Sequence, residues 1–242
     1  MRCSADRLIE ALIAAQMVDF QKQLSEKNKQ QSKPNVVTIS RECGSMGKQV
    51  AQLLADALEV RCCDRMILQE VARRAHVEER LVEALDQHVS NINGHWWQHL
   101  LHKDALSYED YYQNLVKTIL SISGTGGVII GRGANLILGE EKAFRVRVTG
   151  SLNKCAEFIS ARDEINIKQA TEKARQSNQE RAEYIRKLYD ADINDLSHYD
   201  LVLNSDRYNR VQMVELILMA MEKAGYTIPQ DAVKPLETLT EK

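Results

Sequence analysis

Apolar positions along this 242-residue chain recur with two periods, and the alternation between them sets the expected architecture. Leu8, Ile9, Leu12, Ile13, Met17, Phe20 and Leu24 repeat at three- and four-residue steps and predict a helix within residues 5–30. A polar run through Pro34 follows and reads as a linker. The stripe of that helix needs a cover, either the rest of the chain or a second copy, so a homodimer through it is one expected assembly. At Val36 the period changes. VVTIS (36–40) reads as a buried strand and 47–58 as a helix. Residues 59–63 read as a short strand, and 65–75 and 78–87 as two helices. Residues 88–106 are irregular and rich in His, Asn and Trp. A helix marked by Tyr108, Leu115, Ile119 and Ile122 stops at the GTGG of 124–127, before a strand at 128–131. A strand at 144–150, charged helices at 152–163 and 166–188, a strand at 199–204 and a helix at 208–224 complete the pattern.

Strands alternating with helices predict an α/β fold with a parallel sheet covered on both faces. Such sheets bind ligands at the carboxyl ends of their strands. Three regions are expected: the helix and linker of 1–33, a domain over 34–226, and a tail over 227–242. There is no internal repeat.

Composition narrows the function. Apolar residues make up 44%, enough for a full core, and charged residues 27%. The formal net charge of −2 gives no general attraction to nucleic acid or membrane, so a polyanionic ligand must be met by locally clustered basic residues. Five cysteines, an odd number at unpatterned spacings, fit a reducing compartment. No uninterrupted apolar run reaches the ~18 residues of a membrane span, and Glu10 breaks the N-terminal apolar patch without a cleavage site after it. The expected location is the cytoplasm.

The candidate chemistry starts in VVTISRECGSMGK (36–48). A strand entering a glycine-containing loop and then a helix offers free N–H groups and the positive end of a helix dipole to a phosphate. Gly44 and Gly47 let the backbone approach the anion, and Lys48 supplies a point charge. The usual pattern is G-x-x-x-x-G-K-[ST]. Here Glu42 takes the first glycine position and Gln49 the Ser/Thr position that would face Mg²⁺.

That loop is followed in order by DRMILQEVARRA, GGVIIGRGANLIL, ERAEYIRKLY and NDLSHYDLVLN. Together, over about residues 34–225, these blocks resemble the cytidylate kinase-like family. The resemblance implies a three-layer P-loop kinase fold with a central parallel sheet, a helical acceptor-binding insert and a helical lid. It implies transfer of a phosphoryl group from ATP, with Mg²⁺, to a nucleoside monophosphate, CMP or dCMP. Ser40, Arg41, Gly44, Ser45, Met46, Gly47, Lys48 and Gln49 would cradle the donor phosphates. Asp64, Arg65, Arg132, Gly133 and Asn135 would meet the acceptor, and Arg162, Arg175 and Arg181 would belong to the lid. Lys48, Arg132 and Arg181 would carry the catalysis, since this reaction needs positioning and positive charge more than covalent help. Small-molecule nucleotides are the expected partners; nucleic acid, membrane and a resident metal are not expected.

Other roles stay open. Arg41 could pair with Glu42, Asp64 could cap the helix that follows it, and Arg132 could be a structural ion pair. His95, His99 and His102 could share a helix face and hold a metal. The chain also departs from the family pattern: Asn178 replaces an aspartate, Cys155 an arginine, Ile193 a tryptophan and Met46 a loop glycine, and Glu70 and Gly133 stand where acceptor contacts are usual. The rival function is a nucleotide-binding regulatory module that has lost turnover.

Overall fold

The structure, a computed structural model, describes residues 34–88, 107–230 and 232. The expected N-terminal helix with its dimer surface, the histidine and tryptophan segment, and most of the C-terminal tail lie outside the described residues. The elements run β1 (Val36–Arg41), α1 (Gly47–Ala57), β2 (Cys62–Cys63), α2 (Met66–Ala75), α3 (Glu79–His88), α4 (Tyr108–Ser123) and β3 (Gly127–Ile130). They continue with α5 (Ala134–Lys142), β4 (Phe144–Thr149), α6 (Leu152–Asp163), α7 (Ile167–Tyr189), a 3₁₀ turn (Leu196–His198), β5 (Leu201–Asn204) and α8 (Arg210–Lys223).

The five strands form one all-parallel sheet in the order β2-β3-β1-β4-β5. A parallel sheet is buried on both faces, which is why its strands read as near-continuous apolar runs. Successive side chains feed opposite layers. Val36, Cys63 and Ile129 pack with α2, α4 and α5. Val37, Ile39, Val128, Ile130, Val146 and Val148 pack with α1 and α8. Adjacent Cys62 and Cys63 split between the two layers, as expected for neighbours on a strand. None of the described helices is long and apolar enough to cross a membrane.

Helix boundaries follow the capping chemistry. Ser107 with Asp110, and Asn209 with Gln212, form capping boxes at the starts of α4 and α8. Ser151 and Asn166 cap α6 and α7, so these helices start where their polar caps stand.

Three expectations are corrected. The strand over 59–63 shrinks to Cys62–Cys63, because Glu59 adopts a left-handed turn at φ 55 that closes α1. The strand over 199–204 starts at Leu201, after the 3₁₀ turn capped by Asp195. Helix α5 had no counterpart in the sequence reading: its apolar residues Leu136, Ile137 and Leu138 form a run rather than a period, and its N-cap is Gly133 with no side-chain cap.

The chain steps from β1 outward to β2 and β3 on one side and to β4 and β5 on the other. Loops at the carboxyl ends of β1, β2 and β3 therefore converge beside the point where the strand order reverses. Helices α6 and α7 pack as a hairpin around Ala156, Ile159, Ala170 and Ala174, and Cys43 of the β1–α1 loop packs against this small cluster.

Candidate functional site

The β1–α1 loop is built around positive backbone φ angles. Gly44 has φ +88, and a Cβ there would collide with the Cys155 carbonyl, so only glycine fits both the conformation and the space. Met46 has φ 61, a left-handed conformation that favours glycine; this is the physical sense of the glycine usual at that place, and Met46 holds it at some strain. Met46 is the N-cap of α1 and gives it no side-chain cap; the first helical bond runs from Val50 N to Met46 O. The first N–H groups of α1 are therefore left to a ligand. Ser45 is fully buried and donates from Oγ to the carbonyls of Glu42 and Val148, which pins the loop to β4. Glu42 does not pair with Arg41: its carboxylate accepts from Gly150 N at 3.0 Å and lies 3.8 Å from Arg147. Gln49 follows on α1, half-buried.

Lys48 extends from α1 to Asp64, with Nζ 3.1 Å from Oδ2. Asp64 is not a cap: α2 has Arg65 at its N-cap and no side-chain cap bond. Instead the Asp64 backbone carbonyl accepts from Arg132 Nη1 at 3.0 Å, and its carboxylate lies 3.6 Å from the same nitrogen. A lysine of α1 and an arginine of the β3–α5 loop thus share one acidic residue. Burial raises the Asp64 carboxyl, but the Lys48 hydrogen bond and the Arg132 and Arg41 charges outweigh it and hold the group below its ordinary range.

Arg132 follows β3 in a left-handed conformation, φ 54. Its guanidinium faces Asp86 of α3: Nη2 donates to Oδ2 at 3.3 Å, and Nε sits 3.3 Å from Oδ1 as an ion pair without hydrogen-bond geometry. Gly133 has φ +69, and a Cβ there would enter the Tyr189 ring. Asn135 is buried on α5 and donates to the His198 carbonyl at 3.4 Å.

Asp86, Arg132, Gly133 and Asn135 line a cavity of about 280 Å³ together with Ser40, Arg41, Gln87, Arg181 and Tyr184, while Lys48 and Asp64 stand outside its lining. A second hollow of about 160 Å³ is lined by Arg41, Glu42, Arg147, Asn178 and Arg181. Arg41 and Arg181 line both. Arg181 Nη1 donates to the Arg41 carbonyl at 3.0 Å, and Asn178 Oδ1 accepts from Cys43 N at 2.7 Å, so α7 is hydrogen-bonded to the phosphate-type loop. Among the described residues, neither Arg41 nor Arg181 is ion-paired with a carboxylate. Burial, with the like charge of Arg181, pulls the Arg41 guanidinium down to about 10. Burial likewise lowers Arg181. Two such cations, withdrawn from water beside a cavity, are arranged for an anion.

Not every expected residue is brought here. Arg65 is exposed and bidentate to Glu83; Arg162 pairs with Asp163; Arg175 is exposed on α7. None of the three lines the cavity. Conversely, Asp86, Tyr111, Tyr184, Tyr189 and Arg147 stand at the site without having been singled out. Arg147 is buried in β4, donates to Ser40 Oγ and Asn194 Oδ1, and stacks on the Tyr199 ring at 5.6 Å. Its signal was present: Arg145 and Arg147 interrupt the otherwise apolar run FRVRV. The others had none, since each acquires its role through partners far away in sequence.

A profile of the cytidylate kinase-like family matches residues 36–207. A cytidylate kinase from Methanothrix thermoacetophila is 30% identical over 112 residues, which cover 46% of this chain and 63% of that kinase. The chain thus matches less than two thirds of that relative's length. The crystal structure of an uncharacterized protein from Eubacterium ventriosum superposes with a TM-score of 0.59 at 18% identity, covering 78% of this chain and 98% of that one, a likeness of fold alone. With the parallel sheet, the glycine-bearing loop and the clustered arginines, the profile match places the chain in the cytidylate kinase-like family.

Proposed function

We propose that the protein is a nucleoside monophosphate kinase that transfers the γ-phosphoryl group of ATP to a pyrimidine monophosphate, CMP or dCMP. The observation that carries this reading is the pair of half-buried guanidiniums without a carboxylate partner among the described residues, Arg41 and Arg181, which line one cavity with Arg132 beside the uncapped start of α1. Phosphoryl transfer needs positive charge where charge moves, held in place before the reaction. In this reading Gly44, Met46, Gly47 and Lys48 take the donor phosphates. Arg132 takes the acceptor phosphate, and Arg41 and Arg181 flank the group in transit. Arg132 holds its fork on the Asp64 carbonyl and the Asp86 carboxylate, and Arg181 on the Arg41 carbonyl, so little ordering of these two is left to be done at the moment of transfer.

The donor set fits Mg²⁺ only as an ion carried in with the nucleotide. Among the described residues no cluster of three or more metal-ligating side chains occurs, and Gln49 replaces the usual hydroxyl. Magnesium is commonly held by one or two carboxylates plus substrate phosphates, and Asp64, beside Lys48, is the carboxylate in place for that. Bound there, the ion would neutralise phosphate charge. The test of the acceptor is ADP release from ATP and Mg²⁺ against a panel of monophosphates. The proposal expects the highest kcat/KM with CMP or dCMP; a preference for a purine monophosphate would overturn that part of it. ATP binding without any transfer would favour the rival regulatory module, for which Gln49 is the supporting observation.

A further inference from the structure

Arg132 is held more firmly than any contact with a ligand alone would require. Its backbone sits in the left-handed region, which strains a non-glycine residue and persists only when its surroundings enforce it. Tyr189, the last residue of α7, enforces it from one side by donating to the Arg132 carbonyl at 2.6 Å. Asp86 on α3 fixes the guanidinium from another side. Asp86 is itself braced. Tyr111 of α4, fully buried, donates to Asp86 Oδ1 at 2.7 Å. The Tyr111 and Tyr184 hydroxyls lie 2.9 Å apart. Each hydroxyl has one proton, so Tyr111 spends its own on Asp86 and Tyr184 donates to the Tyr111 oxygen. Burial, with the Asp86 charge, raises the Tyr111 hydroxyl well above its ordinary value and keeps it a donor.

We infer that Asp86, braced by Tyr111 and Tyr184, is a positioning residue that aims Arg132 into the cavity and so sets the affinity for the acceptor's phosphate. The inference rests on the kinase reading for the identity of that acceptor. The physical gain is preorganisation. A free arginine spreads over many rotamers, and holding it in advance removes much of that ordering cost from binding. Asp86 also offsets the burial of the Arg132 charge while leaving the guanidinium in the cavity wall.

The test uses the full chain and two variants, with CMP and ATP binding measured by calorimetry, steady-state kinetics beside it, and thermal unfolding as a control. Asp86→Asn keeps the size but loses the charge. Tyr184→Phe keeps the Asp86–Arg132 pair and removes the hydroxyl that lies 2.9 Å from the Tyr111 hydroxyl and 3.5 Å from Asp86 Oδ1, so it remains informative if Asp86→Asn folds poorly. We expect CMP affinity to fall about tenfold or more in Asp86→Asn and roughly threefold in Tyr184→Phe, the latter the equivalent of one lost neutral hydrogen bond. ATP affinity should stay within about twofold of wild type in both, and Asp86→Glu should recover part of the loss. Folded variants that bind CMP like wild type would overturn the inference. So would equal losses of CMP affinity, ATP affinity and thermal stability, which would mark a purely structural network. A wild type that binds CMP but transfers nothing would remove the kinase reading and leave the inference to be judged on these affinities; a wild type that binds no CMP would overturn it.

Discussion

Arg41 shows how a single residue can be wrong for stability and right for a ligand. Its guanidinium is largely withdrawn from water, has no carboxylate partner, and faces the like charge of Arg181. An apolar side chain of similar length should therefore suit the ligand-free protein better. Arg41→Met is expected to raise the unfolding free energy by about 1 kcal/mol, read by urea titration, while weakening ATP binding at least tenfold. Asp64 gives a complementary prediction. Its carboxyl is held below the ordinary value of 3.8, so its pairing contributes fully above that value and is lost as pH falls through the lowered folded value. Asp64→Asn should be less stable than wild type at pH 7 by about 1 kcal/mol, and the gap in urea titrations should close as pH drops below 3.8. At this scale the sequence was legible wherever chemistry is local. Lys48, Gly44 and Gly47 announce themselves by spacing. Asp86 does not, because its partner Arg132 lies 46 residues away and only the fold introduces them. Arg65 misled for the same reason: it adjoins Asp64 in sequence, yet its helix turns it towards Glu83.

Helix α7 ties the element scale together. Asn178 and Arg181 bond to the phosphate-type loop, and within the next few turns Tyr184 and Tyr189 reach the Arg132 network. Steps of three, three and five residues keep all four on one broad side of the helix. The face that grips the β1–α1 loop and the face that steadies Arg132 are thus one side of one helix. Asn178→Ala should leave Cys43 N without its acceptor. The expected results are faster hydrogen exchange at the Cys43 amide and a fall of about threefold to tenfold in ATP affinity. Asn178→Asp keeps an acceptor oxygen at that place and should retain binding. The expected helix over 166–188 lies within a residue of the observed ends of α7. That expectation did not show that its charged surface faces inward at Arg181, because a heavily charged helix reads as solvated until its packing is known. Helix α5 was missed at this scale: its apolar residues run consecutively rather than at helical spacing, and Gly139, at φ 61 and ψ −171, breaks the helical backbone within it.

For the whole molecule, alternation of strands and helices was enough to give the parallel α/β class, whereas the strand order β2-β3-β1-β4-β5 emerges only in the folded sheet. The site then falls at the carboxyl ends of β1, β2 and β3, built from loops that no single stretch of sequence contains. A folded protein whose loops await a polyanion should be stabilised by one. ATP at 100 times its dissociation constant is expected to add about 2.7 kcal/mol to the unfolding free energy, seen as a raised unfolding midpoint, and the same nucleotide should add little to Lys48→Ala. The central claim is that this arrangement moves a phosphoryl group and does not merely hold a nucleotide. It is tested most directly by following radiolabelled γ-phosphoryl from ATP, with Mg²⁺, into nucleoside monophosphates for the wild type and Lys48→Ala. The account predicts label in a nucleoside diphosphate for at least one acceptor with the wild type and none with the variant; a wild type that binds ATP yet labels no monophosphate would contradict it.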